Sequence, residues 1–354
     1  MKPFVKWVGG KRQLLPEIEM MMPVSYNTYY EPFVGGGALL FDIAPEKAVI
    51  GDMNATLIGT YKSIRDSKAA LIRMLDTLTA SHESSQDKKA FYNQMREKYN
   101  NEVLKNPDSL EACALFMYLN KTCFNGLYRV NSKGLFNVPF NGKEKLHIYE
   151  TENLDMISKY LENVSILNAD FEETCKTASA GDFVFFDSPY APLKPESFES
   201  YTKEGFSLEN HERLARLFKE LTGKGVYCML TNHNTELINE LYKEYNKKIV
   251  QVKRMINSDA SKRTGEEVII TNYPVDVAIT SAFFVWGKLR NDERRSETIR
   301  RTIKKELLNR QLYLLISIRI ICVFFRFCVD NSCSFLLSSS VSNDFGCFSK
   351  LFKN

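Results

Sequence analysis

The sequence predicts an α/β fold, on three observations. Short apolar runs alternate with stretches of helical character. Most of these runs end at a glycine or a polar side chain, as buried parallel strands do where they meet a functional sheet edge. And 354 residues, 44% hydrophobic and 25% charged, provide ample core for one large domain or two smaller ones. That composition excludes a disordered chain, a collagen, a coiled coil or a small disulfide scaffold.

In chain order, the expected strands are Tyr29–Phe33 before Val34-Gly35-Gly36-Gly37, Ala48–Gly51 before Asp52, and Val164–Asn168 before Asp170. Phe183–Phe186 before Asp187 and Val226–Leu230 before Thr231 follow. Lys248–Ile256 and Glu267–Tyr273 flank a polar, basic loop at Asn257–Glu266 and read as an antiparallel hairpin, which makes the sheet mixed. Between residues 55 and 163 the alternation stops. Leu57–Met74 and Phe91–Val103 read as helices and lead into the Phe-, Tyr-, Asn- and Arg-rich segment Asn120–Phe140, so the block is expected to be an inserted helical subdomain. Residues 1–54 and 164–274 then form the core, and 275–354 an atypical basic, Cys-rich extension.

The net charge of +4 is unevenly placed. Residues 275–354 hold 13 Lys and Arg against 7 Asp and Glu, a net +6, which leaves −2 for residues 1–274. A polyanion would therefore be held by a local patch. In the extension, Leu312–Val329 is mainly apolar but contains Arg319 and Arg326. Central arginines cost about 3 kcal/mol each on insertion scales, which argues against a membrane span. Cys113, Cys123, Cys175 and Cys228 are scattered, without metal or disulfide spacing, and four His are too few for a His-rich metal site. The first residues, MKPFVKWVGGKRQLL, lack the apolar stretch of a secretory signal, so a cytoplasmic location is expected.

Two motifs carry chemistry. In Glu31–Leu40 a strand passes through Gly35, Gly36 and Gly37 into a helix, which permits a tight turn and close approach of a ligand. Asp52, ending the next strand, suits ribose hydroxyls. A dinucleotide fingerprint would need a further glycine where Leu40 stands. In the second motif, FVFFDSPY, a buried strand delivers Asp187, Ser188, Pro189 and Tyr190 to the sheet edge. A carboxylate and a backbone carbonyl accepting from an exocyclic amine, with an aromatic ring stacked on the base, suit amine methylation.

These blocks resemble the bacterial DNA adenine N6-methyltransferases, particularly those that methylate GATC. The similarity is carried by FVKWVGGKRQLLP, YEPFVGGGALLFD, GDMN, FNGLYRVNSKGLFNVPF, NADFE, FFDSPYAPL, TNHNTEL and EEVIITNYP, in the family's order across nearly all of residues 1–274. The resemblance implies a Rossmann-like methyltransferase core using S-adenosyl-L-methionine, with no metal. It implies cofactor contacts from Trp7, Lys11, Glu31, Phe33, Gly35, Gly37, Asp52, Asp170, Phe171 and Asp187. The family's catalytic turn is Asp-Pro-Pro-Tyr. Ser188 replaces its first proline here and removes a fixed φ, so a looser turn is expected, with Ser188→Pro matching or exceeding the parent.

A duplex base must be flipped out to reach such a pocket. Phe124, Asn125, Leu127, Tyr128 and Arg129 are the expected wedge and reading residues, with Arg129 suited to guanine. Lys121, Lys133, Arg254, Lys262 and Arg263 are candidate phosphate contacts, and Phe198, Tyr201 and Phe206 a candidate lid. The expected partner is double-stranded DNA, with a cognate restriction endonuclease linked by function rather than contact, no membrane partner, and a monomeric state. Open alternatives are an N4-cytosine methyltransferase, a catalytically impaired DNA-binding homologue, and a nicotinamide-dependent dehydrogenase.

Overall fold

A computed structural model of the chain describes residues 1–7, 13–193, 206–253 and 264–275. Lys11, Phe198, Tyr201, Arg254, Lys262, Arg263 and the 276–354 part of the extension lie outside the described residues. The centre is a seven-stranded sheet: β1 Tyr29–Glu31, β2 Ala48–Asp52, β3 Val164–Asn168, β4 Phe183–Phe186, β5 Tyr227–His233, β6 Asn246–Lys253 and β7 Thr264–Thr271. Their order across the sheet is β3-β2-β1-β4-β5-β7-β6. The first five are parallel, and β7 runs antiparallel to both β5 and β6. The chain therefore winds outward from β1 and returns to place β4 on the other side of β1. Such a switch point opens a crevice at the carboxyl ends of the strands.

The strand sequences explain why the sheet is central. All four β4 residues, Phe-Val-Phe-Phe, are buried. Alternate side chains point to opposite faces. Phe183 and Phe185 join one apolar cluster, with Tyr29, Met229 and Ile269, while Val184 and Phe186 join a second, with Tyr30, Leu230 and Ile270. The first cluster is closed by α1 (Leu15–Met21), α2 (Ala38–Ile43) and α3 (Ala55–Asp66). The second is closed by α8 (Phe171–Thr174), α9 (Leu208–Gly223) and α10 (Glu236–Leu241). Each fully buried Phe contributes roughly 1.5–3 kcal/mol of apolar transfer. No helix among the described residues is long and apolar enough to cross a membrane.

Between β2 and β3 stand α3, α4 (Lys68–Ser84), α5 (Lys88–Val103), α6 (Leu110–Thr122) and α7 (Thr151–Leu161). The single helix expected over Leu57–Met74 is broken at Ser67, whose φ of −137° leaves helical space, so that it closes α3 and opens α4. Side-chain caps start several helices: Asn54 accepts from Leu57 N at 2.9 Å and Ser109 from Ala112 N at 3.1 Å. Each such cap contributes on the order of 0.5–2 kcal/mol. Tyr61 and Ile64 of α3 and Ile157 and Leu161 of α7 share one cluster with Ile50 of β2, so this block and the sheet have a continuous core. Helix α6 is buried at every position from Ala112 to Asn120 and packs among α3, α4 and α5.

Candidate active site

The glycine loop leaves β1 at Glu31 and enters α2. Gly35 and Gly37 have φ of +48° and +70°, left-handed values that suit glycine. Space demands glycine as well: a Cβ at Gly35 would lie 2.6 Å from Trp7 Cδ1, and one at Gly37 would lie 2.6 Å from Tyr61 Oη. The loop is tied down on three sides. Val34 N donates to Gly51 O at 2.9 Å, Tyr61 Oη donates to Gly35 O at 3.0 Å, and Gly35 N donates to Asp52 Oδ2 at 3.1 Å. The other Asp52 oxygen accepts from Asn54 N at 2.9 Å. Asp52 thus braces the loop while each oxygen keeps acceptor capacity for a ligand. Burial raises its carboxyl above the ordinary range, against the pull of the Asn54 and Gly35 N–H groups.

Glu31 is 3% exposed and accepts from Tyr29 Oη at 2.9 Å. Burial pushes its carboxyl well above the ordinary range. The Tyr29 hydrogen bond opposes this, and the nearby Asp187 charge adds to it. A buried carboxyl facing a second acid is an environment that a cationic ligand group would relieve.

At the far side of the loop, Phe33 stacks on Phe171, with centroids 5.4 Å apart and planes 30° apart, and Phe206 meets Phe33 edge-on at 5.8 Å. The Arg213 guanidinium sits 4.9 Å from the Phe171 centroid. It donates to Asp170 Oδ1 at 3.1 Å and to Glu172 Oε2 at 2.7 Å. Glu172 N also donates to Asp170 Oδ1, at 3.0 Å. One oxygen of Asp170 is therefore taken twice, while Oδ2 has no hydrogen-bond partner among the described residues. Nothing in the local sequence around Arg213 signals this clamp; it follows from α9 packing beside α8.

The Asp187–Tyr190 turn is gripped by the end of β5. Thr231 Oγ1 donates to Asp187 Oδ1 at 3.0 Å, and Asn232 Nδ2 donates to Ser188 Oγ at 3.3 Å. Ala191 N donates to Asn232 Oδ1 at 2.8 Å, and His233 Nδ1 to Ala191 O at 2.8 Å. Ser188 is 2% exposed. The Ser188 hydroxyl, which a proline at this position would lack, supplies a tether to Asn232. Tyr190 is half-buried, and Pro189 is exposed. Burial, then the charges of Asp187 and Glu267, hold the Tyr190 hydroxyl well above its ordinary pKa, so it stays a phenol.

The segment after α6 makes a short 3-10 turn at Phe124–Gly126, with Asn125 at φ +56°. Phe124 is 52% exposed, and Asn125 and Arg129 also face outward. Arg129 Nε donates to Asn137 Oδ1 at 2.8 Å. Asn120 fastens this turn to the N-terminal segment: its Nδ2 donates to Lys6 O at 2.8 Å and to Gly126 O at 3.1 Å. Leu127 is half-buried, and Tyr128 turns inward onto Trp7, Phe116 and Phe136. Burial, with Lys143 and Lys6 nearby, lowers the Lys121 ammonium.

Comparison with known proteins agrees with this geometry. The family model described as D12 class N6 adenine-specific DNA methyltransferase matches residues 7–257. The chain is 43% identical over 277 residues to the type II methyltransferase M1.LlaDCHI of Lactococcus lactis subsp. cremoris, covering 77% of this chain and 96% of the relative. It is 41% identical over 288 residues to the type II methyltransferase M.MjaIII of Methanocaldococcus jannaschii, covering 77% and 99%. A DNA adenine methylase of Haemophilus influenzae is 31% identical over 271 residues, covering 76% and 92%. The cytosine and dehydrogenase alternatives fall away, and the chain belongs to the D12 class of N6 adenine-specific DNA methyltransferases.

Proposed function

We propose that this adenine-specific DNA methyltransferase uses S-adenosylmethionine to methylate N6 of an adenine flipped out of duplex DNA, within GATC. The observation that carries the reading is the convergence at the β1–β4 switch point. Glu31 and the glycine loop lie on one side and the Asp187–Tyr190 turn on the other.

The residues present fit the cofactor. Gly35 and Gly37 leave no room for a side chain of their own, so backbone can approach a ligand closely. Buried Glu31 suits an ammonium group, Trp7 lies over Gly35, and Lys11 suits a carboxylate of the cofactor. Asp52 suits ribose hydroxyls, and the unengaged oxygen of Asp170 suits an adenine amino group beside Phe33 and Phe171. When bound, the cofactor supplies an electrophilic methyl group on a cationic sulfur.

The protein's own task is to prepare the amine. The N6 lone pair is delocalised into the adenine ring, which makes it a poor nucleophile. Asp187 and the Ser188 carbonyl would accept from its two hydrogens and favour a pyramidal nitrogen. Tyr190 would stack on the ring and fix its plane. Thr231 would hold the Asp187 carboxylate through its hydroxyl.

DNA is met by the 120–140 segment, as the recognition part of an inserted helical block between core segments 1–54 and 164–274. Outward-facing Phe124 suits the gap left by the flipped base, with Asn125 and Leu127 beside it. Arg129 suits guanine, and Lys262 and Arg263 suit phosphates. Tyr128 supports the segment from inside. The enzyme would act as a cytoplasmic monomer, functionally paired with a restriction endonuclease, and without need of residues 275–354. Digestion of treated DNA with nucleases sensitive to GATC methylation tests the site. Protection of GATC is expected, and N6-methyladenine confined to other sequences would refute that specificity.

A further inference from the structure

The register of β5 and β7 places His233 directly opposite Glu267. Cross-strand partners project from the same sheet face and lie within reach of one another. Tyr190 spans this pair. Its hydroxyl donates to Glu267 Oε2 at 2.6 Å, and its ring meets the His233 ring edge-on, with centroids 4.7 Å apart and planes 71° apart. His233 is itself held, because its Nδ1 donates to Ala191 O at 2.8 Å and its backbone N donates to Asn232 Oδ1 at 2.9 Å. Two independent contacts thus restrain the two torsions of the Tyr190 side chain.

A ring that stacks on a flipped base helps only if its plane is set before the base arrives. Thr231, Asn232 and His233 fix the backbone of the turn and its Asp, and Glu267 accepts the hydroxyl at the tip of Tyr190. We propose that Glu267 is a positioning residue for the methylation, setting the plane of Tyr190 over the target adenine with His233 as the wall behind the ring. This rests on the reading that Tyr190 stacks on the target base. Glu267 donates no group to the reaction and acts through Tyr190. A charge-assisted O–H to carboxylate bond is short and directional, and the 2.6 Å separation has that character.

The test is a double-mutant cycle in the full chain, read by steady-state kinetics on GATC duplex DNA. Glu267→Ala is expected to lower kcat about 10- to 100-fold with KM for DNA and for cofactor within about twofold, the scale of loss when a reacting group is slightly misplaced. Glu267→Gln, whose amide oxygen still accepts the phenol proton, is expected to recover most of that loss. In a Tyr190→Phe background, which lacks the donor, Glu267→Ala should have little further effect. Unchanged kcat in Glu267→Ala, or an equal loss with and without the Tyr190 hydroxyl, would overturn the proposal. Should Glu267→Ala fail to fold, the Glu267→Gln and Tyr190→Phe pair decides: kcat for Glu267→Gln far below that of Tyr190→Phe would contradict a role through Tyr190. Should the parent leave adenine unmethylated, the underlying reading has failed; an active parent indifferent to Glu267 sinks this inference alone.

Discussion

The indole of Trp7 lies face to face with the phenol ring of Tyr128, 5.3 Å between centroids and 19° from parallel. Trp7 also fills the space above Gly35, so the stack joins the glycine loop to the segment that carries Phe124 and Arg129. Aromatic pairs of this kind contribute about 0.5–1.5 kcal/mol beyond area burial. Tyr128→Leu is therefore expected to weaken cofactor and DNA binding together, each by about 3- to 10-fold. Calorimetric titration of each ligand in the presence and absence of the other measures the coupling. Loss of DNA affinity alone would show that Tyr128 acts only at the DNA face.

Ser188 and Asn232 make a prediction particular to this chain. Ser188→Ala removes the acceptor for Asn232 Nδ2 and restores no φ restraint, so turnover should fall about 3- to 10-fold. Ser188→Pro removes the same acceptor but fixes the turn. It should keep turnover at or above the parent while melting lower, because a buried amide that loses a partner costs about 1–3 kcal/mol. Parallel kcat and thermal-denaturation measurements on the two variants check both halves, and a sharp loss of activity in Ser188→Pro would contradict the account.

The strand ends at Asp52 and Asp187 are readable because a buried run that stops at a polar residue has few structural alternatives, whereas β1 ends at Glu31, two residues before the expected Phe33. The hairpin at the end of the sheet is readable from two runs flanking a polar loop, although β6 and β7 begin earlier than those runs suggest. Arg213, Thr231, Asn232 and Glu267 were not readable as site residues. Their roles come from which helix crosses which strand and from the β5–β7 register, and neither leaves a local pattern. Its sequence neighbours suggest that Tyr128 contacts DNA, whereas its ring packs against Trp7, where the Asn120 bonds draw the two segments together. The break at Ser67 was hidden by a continuous run of helix-forming residues on both sides.

Acid stability follows from His211 in α9. The ring is buried against Phe206, 4.8 Å between centroids, and burial lowers its pKa from 6.5 to about 4. The unfolded chain takes up a proton at a pH where the folded chain does not, so stability falls as pH drops from 6.5 toward about 4. Denaturant midpoints across that window should decline in the parent and decline less in His211→Gln. Identical slopes would show that carboxylates alone account for the decline.

Glu31 titrates in the opposite sense. Its raised carboxyl favours the protonated folded state, so the stability it contributes is complete below the unfolded pKa and is lost as pH rises through the folded one. A cationic ligand beside it favours the ionised form, and cofactor binding should then release a proton. Calorimetry in two buffers of different ionisation enthalpy measures that release. It should vanish in Glu31→Gln; equal release in parent and variant would place the proton elsewhere.

In the proposed function, the Asp187–Tyr190 turn directs methyl transfer to adenine N6. The most direct measurement of this role is transfer of a labelled methyl group from S-adenosylmethionine to duplex DNA, with the modified nucleoside identified, for the parent and for Asp187→Ala. N6-methyladenine is expected as the product of the parent. A loss of at least about 100-fold is expected in Asp187→Ala, comparable to removing a single preorganised polar group, with DNA binding retained. Undiminished transfer in Asp187→Ala, or label on a base other than adenine, would contradict this role.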